Sequence, residues 1–157
     1  MSLRLLLAVV LAGALVAASM PAIQAAQRTQ ADRQLSTTVD DLNTAAMALV
    51  RQSDPVPPGV PAATRRVRVS LPDKPADAGI TIGPPADGNT SGRSQIRTMV
   101  PGDPPGHTVL NETIRPHGPD GAVSWNDSLT VRESTELTLH YRRVDGTAVI
   151  TVARGFK

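Results

Sequence analysis

An uncharged apolar run from Leu5 to Gln27 constrains this chain more than any other feature, because it passes without a Gly or Pro break after Pro21 into an amphipathic pattern ending near Gln52. Together the two segments describe one long helix, half in lipid and half out of it. Leu5, Leu6, Leu7, Val9, Val10, Leu11, Leu15 and Val16 supply the anchoring side chains. About 19 residues at 1.5 Å each reach about 28 Å, close to the thickness of a hydrocarbon core. The same run also fits a cleaved secretory signal, with Arg4 as its charged start, Leu5 to Ala18 as its apolar centre, and cleavage among Ile23, Gln24 and Ala25. The small residues such a cleavage site wants are poorly supplied, since Ile23 stands where an alanine is needed.

Beyond the run, Leu35, Val39, Leu42, Ala46 and Leu49 recur at spacings of 4, 3, 4 and 3, with Arg33, Asp40, Asp41 and Arg51 off that line. This is the apolar stripe of a helix, and a signal peptide needs no such continuation. Residues 54 to 63 read DPVPPGVPAA, in which four prolines end the helix because each lacks an N–H and fixes its own φ. A stiff, extended spacer of this kind is expected to hold the following domain away from the helix. The stripe is then expected to stay uncovered by its own head and to act as an interaction surface.

The organisation expected is residues 1–27 as a transmembrane anchor or signal segment, 28–53 as an amphipathic helix continuing it, 54–63 as a proline-rich linker and 64–157 as a β-rich domain outside the cytoplasm. About 95 residues thus remain for one small domain with a modest core. The chain has no cysteine, so the core must suffice without disulfides. Its net charge is only +2, and its arginines are scattered. With Trp125, Tyr141 and Phe156 as the only aromatics, there is no basic, aromatic-lined stripe for nucleic acid.

From Arg65 onward the period changes from 3.6 to 2. Val67, Val69 and Leu71 alternate with Arg66, Arg68 and Ser70, and further short strands are expected at Ile80 and Ile82, Ile96 to Val100, Val109 to Ile114, Val123 to Val131, Leu137 to Tyr141 and Ala148 to Val152. Asp145-Gly146 supplies the two positive-φ residues of a tight hairpin between the last two. Counting outward pairs Val144 with Thr147, Tyr141 with Ile150 and Leu139 with Val152. His140 and Arg142 then fall on the face opposite these apolar side chains. The fold class is therefore α+β: one long N-terminal helix, transmembrane then amphipathic, followed by a small antiparallel β-sheet or sandwich.

An N-terminal hydrophobic segment with a proline near position 21, LVAASMPAIQAA, continuing as an amphipathic helix and giving way to a β-rich head, resembles the type IV pilin and pseudopilin plan. The arginine-rich, PVPPGVP-linked form is also similar to uncharacterised haloarchaeal proteins associated with pilus or secretion genes. The pilin family's processing site, a basic stretch and small residue followed by a Glu in the helix, is absent, because Leu5 to Val16 contain no acid. The resemblance implies a membrane-anchored structural or accessory protein of a surface filament or secretion assembly. Its partners would be membrane lipid and other pilin-like subunits or secretion-machine proteins. The competing expectation is a secreted or anchored β-sandwich binding module with a cleaved signal peptide.

Three sequons begin at Asn89, Asn111 and Asn126, all in the β domain. They suit a glycoprotein whose head lies outside the cytoplasm on a single-pass anchor. Catalytic chemistry is not evident. His107, His117 and His140 are expected to be exposed and have no metal-spaced partners, thiol chemistry is excluded, and no phosphate-binding or nucleophile-elbow motif is present. The expectation is a non-enzyme with no cofactor, and with Trp125 in the core.

Overall fold

The helix α1, Leu3–Gln52, runs unbroken for 50 residues, about 75 Å at the rise of an α-helix. Pro21 lies inside it and can give no N–H to the carbonyl one turn back. Next to it the Ser19 hydroxyl donates to the Val16 carbonyl at 2.9 Å. In the last turn Arg51 meets the negative end of the helix dipole. The structure is a computed structural model and describes residues 3–85, 92–118 and 122–155.

Eight strands follow among the described residues: β1 (Ala63–Val69), β2 (Gly79–Gly83), β3 (Ser94–Met99), β4 (Gly106–Leu110), β5 (Ile114–Pro116), β6 (Leu129–Val131), β7 (Thr135–Val144) and β8 (Thr147–Arg154). They form two four-stranded sheets. The first has the order β1-β7-β8-β5 and the second β4-β3-β2-β6. The β7–β8 hairpin has the register that its Asp-Gly turn demands, with Val144 opposite Thr147, Tyr141 opposite Ile150 and Leu139 opposite Val152. Asp145 and Gly146 take φ values of 49° and 79°. Leu137, Leu139, Tyr141, Ile150 and Val152 are buried on the inner face. Ser94 of β3 stitches the sheets together: its hydroxyl donates to the Ile114 carbonyl at 2.8 Å and accepts from the Ile114 N–H at 2.6 Å.

The second half of α1 is part of this core, which corrects the expectation of an open stripe. Leu35, Leu42 and Ala46 are 0% exposed, Val39 4% and Leu49 5%. They share one apolar cluster with Val67, Val69, Leu137 and Leu139. The physical reason lies in the linker, which reverses the chain instead of extending it. Gly59 has a φ of 88°, and the Val60 N–H closes a turn onto the Pro57 carbonyl at 3.3 Å. Val56 then pairs beside Arg142 of β7, with the Arg143 N–H donating to its carbonyl at 2.8 Å. β1 consequently runs back along the helix, and its Val67 and Val69 face the stripe.

Other departures are local. The run expected as one strand from Val109 to Ile114 divides into β4 and β5, and of Val123 to Val131 only β6 joins a ladder. Among the described residues the ladders are antiparallel except for β5 against β8, which is parallel. Trp125 is half-buried and not in the core, with the Arg115 guanidinium carbon 5.9 Å from its ring centre.

Candidate functional site

The lower half of α1 is bare. Leu7, Val9, Val10, Leu11, Leu15 and Val16 are each between 62% and 69% exposed, which means that none is covered by the head. Leu5 and Leu6 belong to the same helix, but their side chains lie outside the described residues. Among the described residues α1 is long and apolar enough to cross a membrane, with a window of mean hydropathy 1.9 that is 0% buried. Moving these six side chains from water into hydrocarbon is favourable by on the order of 10 kcal/mol.

Where α1 meets the head the surface turns polar. Gln27, Gln30 and Gln34 face Asp73 and Lys74 across an open hollow of about 390 Å³. Beside it the Arg28 guanidinium packs so closely on Gly102 that a Cβ there would lie 3.0 Å from its Nη2. A collar of amides and mixed charges at the end of an apolar span suits the water boundary of a bilayer. Two of the sequon asparagines, Asn111 and Asn126, are exposed on the head, and Asn89 lies outside the described residues.

A second polar site, which the sequence did not announce, occupies the outer face of the first sheet. The ladder places Thr64, His140, Thr151 and Arg115 side by side on β1, β7, β8 and β5. Thr151 and Arg115 are buried, while His140, His117 and Arg142 are half-buried, which corrects the expectation of exposed histidines at 117 and 140. His107 is exposed, with its Nδ1 3.1 Å from the Gln95 amide nitrogen. Continuing the β5–β8 register by one residue sets His117 beside Ala153. That small methyl leaves room for its ring to stand 6.4 Å from the ring of His140.

Burial holds the pKa of His140 below its ordinary 6.5, with the Arg142 and His117 charges adding to the effect. Burial also lowers Arg115 from its usual range. The Arg115 guanidinium turns around the edge strand to donate to Ser94 Oγ at 2.7 Å and to the Ile114 carbonyl at 2.9 Å, both uncharged acceptors. The hairpin register alone puts His140 and Arg142 on one outward face. The approach of His117 depends on the non-local parallel pairing of β5 with β8, and no local signal carries that.

No group of three or more His, Asp or Glu side chains among the described residues is placed to hold a metal. The bare span, the polar collar and the outward sheet face are the features with which any family assignment must agree. Residues 2–155 match a family described as a domain of unknown function, DUF7311. The chain belongs to the DUF7311 family. No curated protein and no solved structure matches it. The match covers the helix and the head together.

Proposed function

We propose that this DUF7311 chain is a membrane-anchored, pilin-like structural or accessory protein of a surface filament or secretion assembly, with its β head outside the cytoplasm. One observation carries the reading. A single helix is bare and apolar over its first half and built into the head's core over its second. Such a rod transmits position from bilayer to head without a hinge, because α1 continues unbroken across the junction. The exposed sequon residues Asn111 and Asn126 suit a head on the extracytoplasmic side.

Because the Leu35 to Leu49 stripe is consumed inside the head, assembly contacts fall to the lower half of α1, where lipid is exchanged for other helices. The experiment is photocrosslinking in native membranes, with the reactive group at Val16 in one protein and at Leu42 in another. Adducts to a further protein are expected from Val16 and not from Leu42. A membrane-resident protein giving no protein adduct from any position between Leu7 and Ile23 would refute assembly through the helix.

A second reading, an anchored β-sandwich binding module, is favoured by the unpartnered donors on the outer face of the first sheet.

A further inference from the structure

Three buried side-chain polar atoms without a hydrogen-bond partner gather on one face of the first sheet, Arg142 Nε, Thr151 Oγ1 and His117 Nδ1, and a fourth, Arg115 Nε, lies at its edge. Buried polar groups are nearly always paired, so the gathering itself needs a cause. Thr151 is 0% exposed and Arg115 2%, and the two are neighbours across the β5–β8 ladder. Arg142 lies two residues along β7 from His140, the partner of Thr151 on its other side. Because Arg142 stands opposite Val149 and His117 beside Ala153, strand spacings of about 4.8 Å and two-residue repeats of about 7 Å spread these positions over about 14 Å along the strands and about 10 Å across them, with Thr151 at the middle.

The chemistry of the orphans identifies what is missing. A guanidinium Nε–H donates and cannot accept, so Arg142 Nε demands an acceptor. The threonine hydroxyl can donate, and so can His117 Nδ1 in one tautomer. The surrounding charge agrees. Arg142 and His117 both disfavour a proton on His140, and a positive field of this kind repels a metal cation and attracts an anion. An open hollow of about 300 Å³ leads to His140 past Arg66, Arg154 and Glu136. Its one carboxylate is already engaged, with Glu136 Oε1 3.7 Å from Arg66 Nε.

We propose that the outer face of the first sheet binds a tetrahedral oxyanion, sulfate or phosphate, seated at His140 between Arg142 and His117. Donors rising from separate strands match several oxygens of one tetrahedral group, whereas a planar carboxylate is best met by a single guanidinium fork. The ligand does not come from the protein's own bilayer. Thr38 of α1 bonds the Ser70 carbonyl, about 16 Å beyond Gln27 along the helix. His140 pairs with Thr64, about 20 Å farther along β1. The site thus stands on the order of 30 Å above the end of the apolar run, which leaves a dissolved ion or an ester on a surface polymer as the source. The inference rests on the head alone and holds whether or not the chain assembles.

The test uses the full-length chain in detergent, with the histidine ring and arginine Nε resonances followed by NMR as sodium sulfate, sodium phosphate or sodium acetate is added at constant ionic strength. Sulfate or phosphate is expected to shift His117, His140 and Arg142 Nε saturably, and to raise the His140 pKa. Acetate is expected to bind at least tenfold more weakly. Arg142→Gln, at a half-exposed position, should weaken sulfate at least tenfold with the thermal midpoint little changed. Dextran sulfate binding more tightly per sulfate than the free ion would assign the source to a polymer, and equal affinity would assign it to the dissolved ion. Shifts linear in sulfate and unaltered by Arg142→Gln would overturn the site, as would saturation of both imidazoles by zinc in preference to either anion.

Discussion

Thr38 donates its hydroxyl to the carbonyl of Ser70 at 3.1 Å, which pins the middle of α1 to the end of β1 across 32 residues of sequence. Thr38 itself is buried, so its hydroxyl needed a partner within the protein. The bond lies within the part of α1 that is a wall of the head, which already begins at Ala31 and Leu35. Below it Leu7 to Val16 are bare, and above it Val39, Leu42, Ala46 and Leu49 are core. One helix therefore carries two environments, and substitutions along it should divide sharply between them.

Leu42→Ala should cost the head about 2–5 kcal/mol, the range for deleting a fully buried leucine. Leu42→Asp should cost more, because it strands a charge inside the apolar cluster. Val16→Asp should leave the head's urea midpoint where it was and instead weaken retention in the membrane. Measuring the midpoint and the membrane fraction for each variant checks the division. Unfolding by Val16→Asp, or a silent Leu42→Ala, would contradict it.

The sequence made some of this legible and hid the rest for a physical reason. A hairpin is local: Asp145-Gly146 and the alternation around it carry turn and register within one stretch, and the observed pairing agrees residue for residue. The stripe from Leu35 to Leu49 declared that this face needs a cover but not which cover. Proline stiffness in residues 54–63 pointed to an extended spacer, yet Gly59 at positive φ reverses the chain there. The polar face around Thr151 was hidden for a similar reason. Its members come from β5, β7 and β8, and the β5–β8 pairing is parallel and non-local.

Gly146→Val should destabilise the head by about 1–3 kcal/mol, because a β-branched residue is strained at the φ of 79° held by Gly146. The exposed neighbour substitution Thr147→Ser should be nearly silent. Nothing lies within 4 Å of a Cβ built on Gly146, so a loss at this position reports backbone conformation and not a clash. Thermal midpoints of the two variants, compared with the parent, decide it; equal values would refute the turn.

The full chain should sediment with membranes, resist a high-salt wash and dissolve in detergent, because its attachment is held by apolar area and not by charge. Leu11→Arg should raise the soluble share, since an arginine in the middle of a span costs about 2.5–3.5 kcal/mol on insertion scales. Immunoblots of the washed fractions provide the measurement. Release of the parent protein by salt alone would mean that α1 lies on the bilayer or outside it.

The last prediction concerns pH. Burial first, then the charges of Arg142 and His117, hold the folded-state pKa of His140 below its ordinary 6.5. As pH falls through 6.5 the unfolded chain therefore takes up a proton at this position that the folded chain still refuses, and unfolding is favoured by that difference. The contribution of neutral His140 is thus fully present above pH 6.5. It is lost as pH falls from there to the lowered folded-state value, and it is flat below that. Urea midpoints measured in buffer free of sulfate and phosphate should decline across this window in the parent. In His140→Gln the His140 part of the slope should vanish. Arg142→Gln should lessen the slope without removing it, because desolvation remains the larger cause. A parent and a His140→Gln variant with superimposable pH profiles would show that His140 titrates alike in both states, and would remove the electrostatic argument for the face around Thr151.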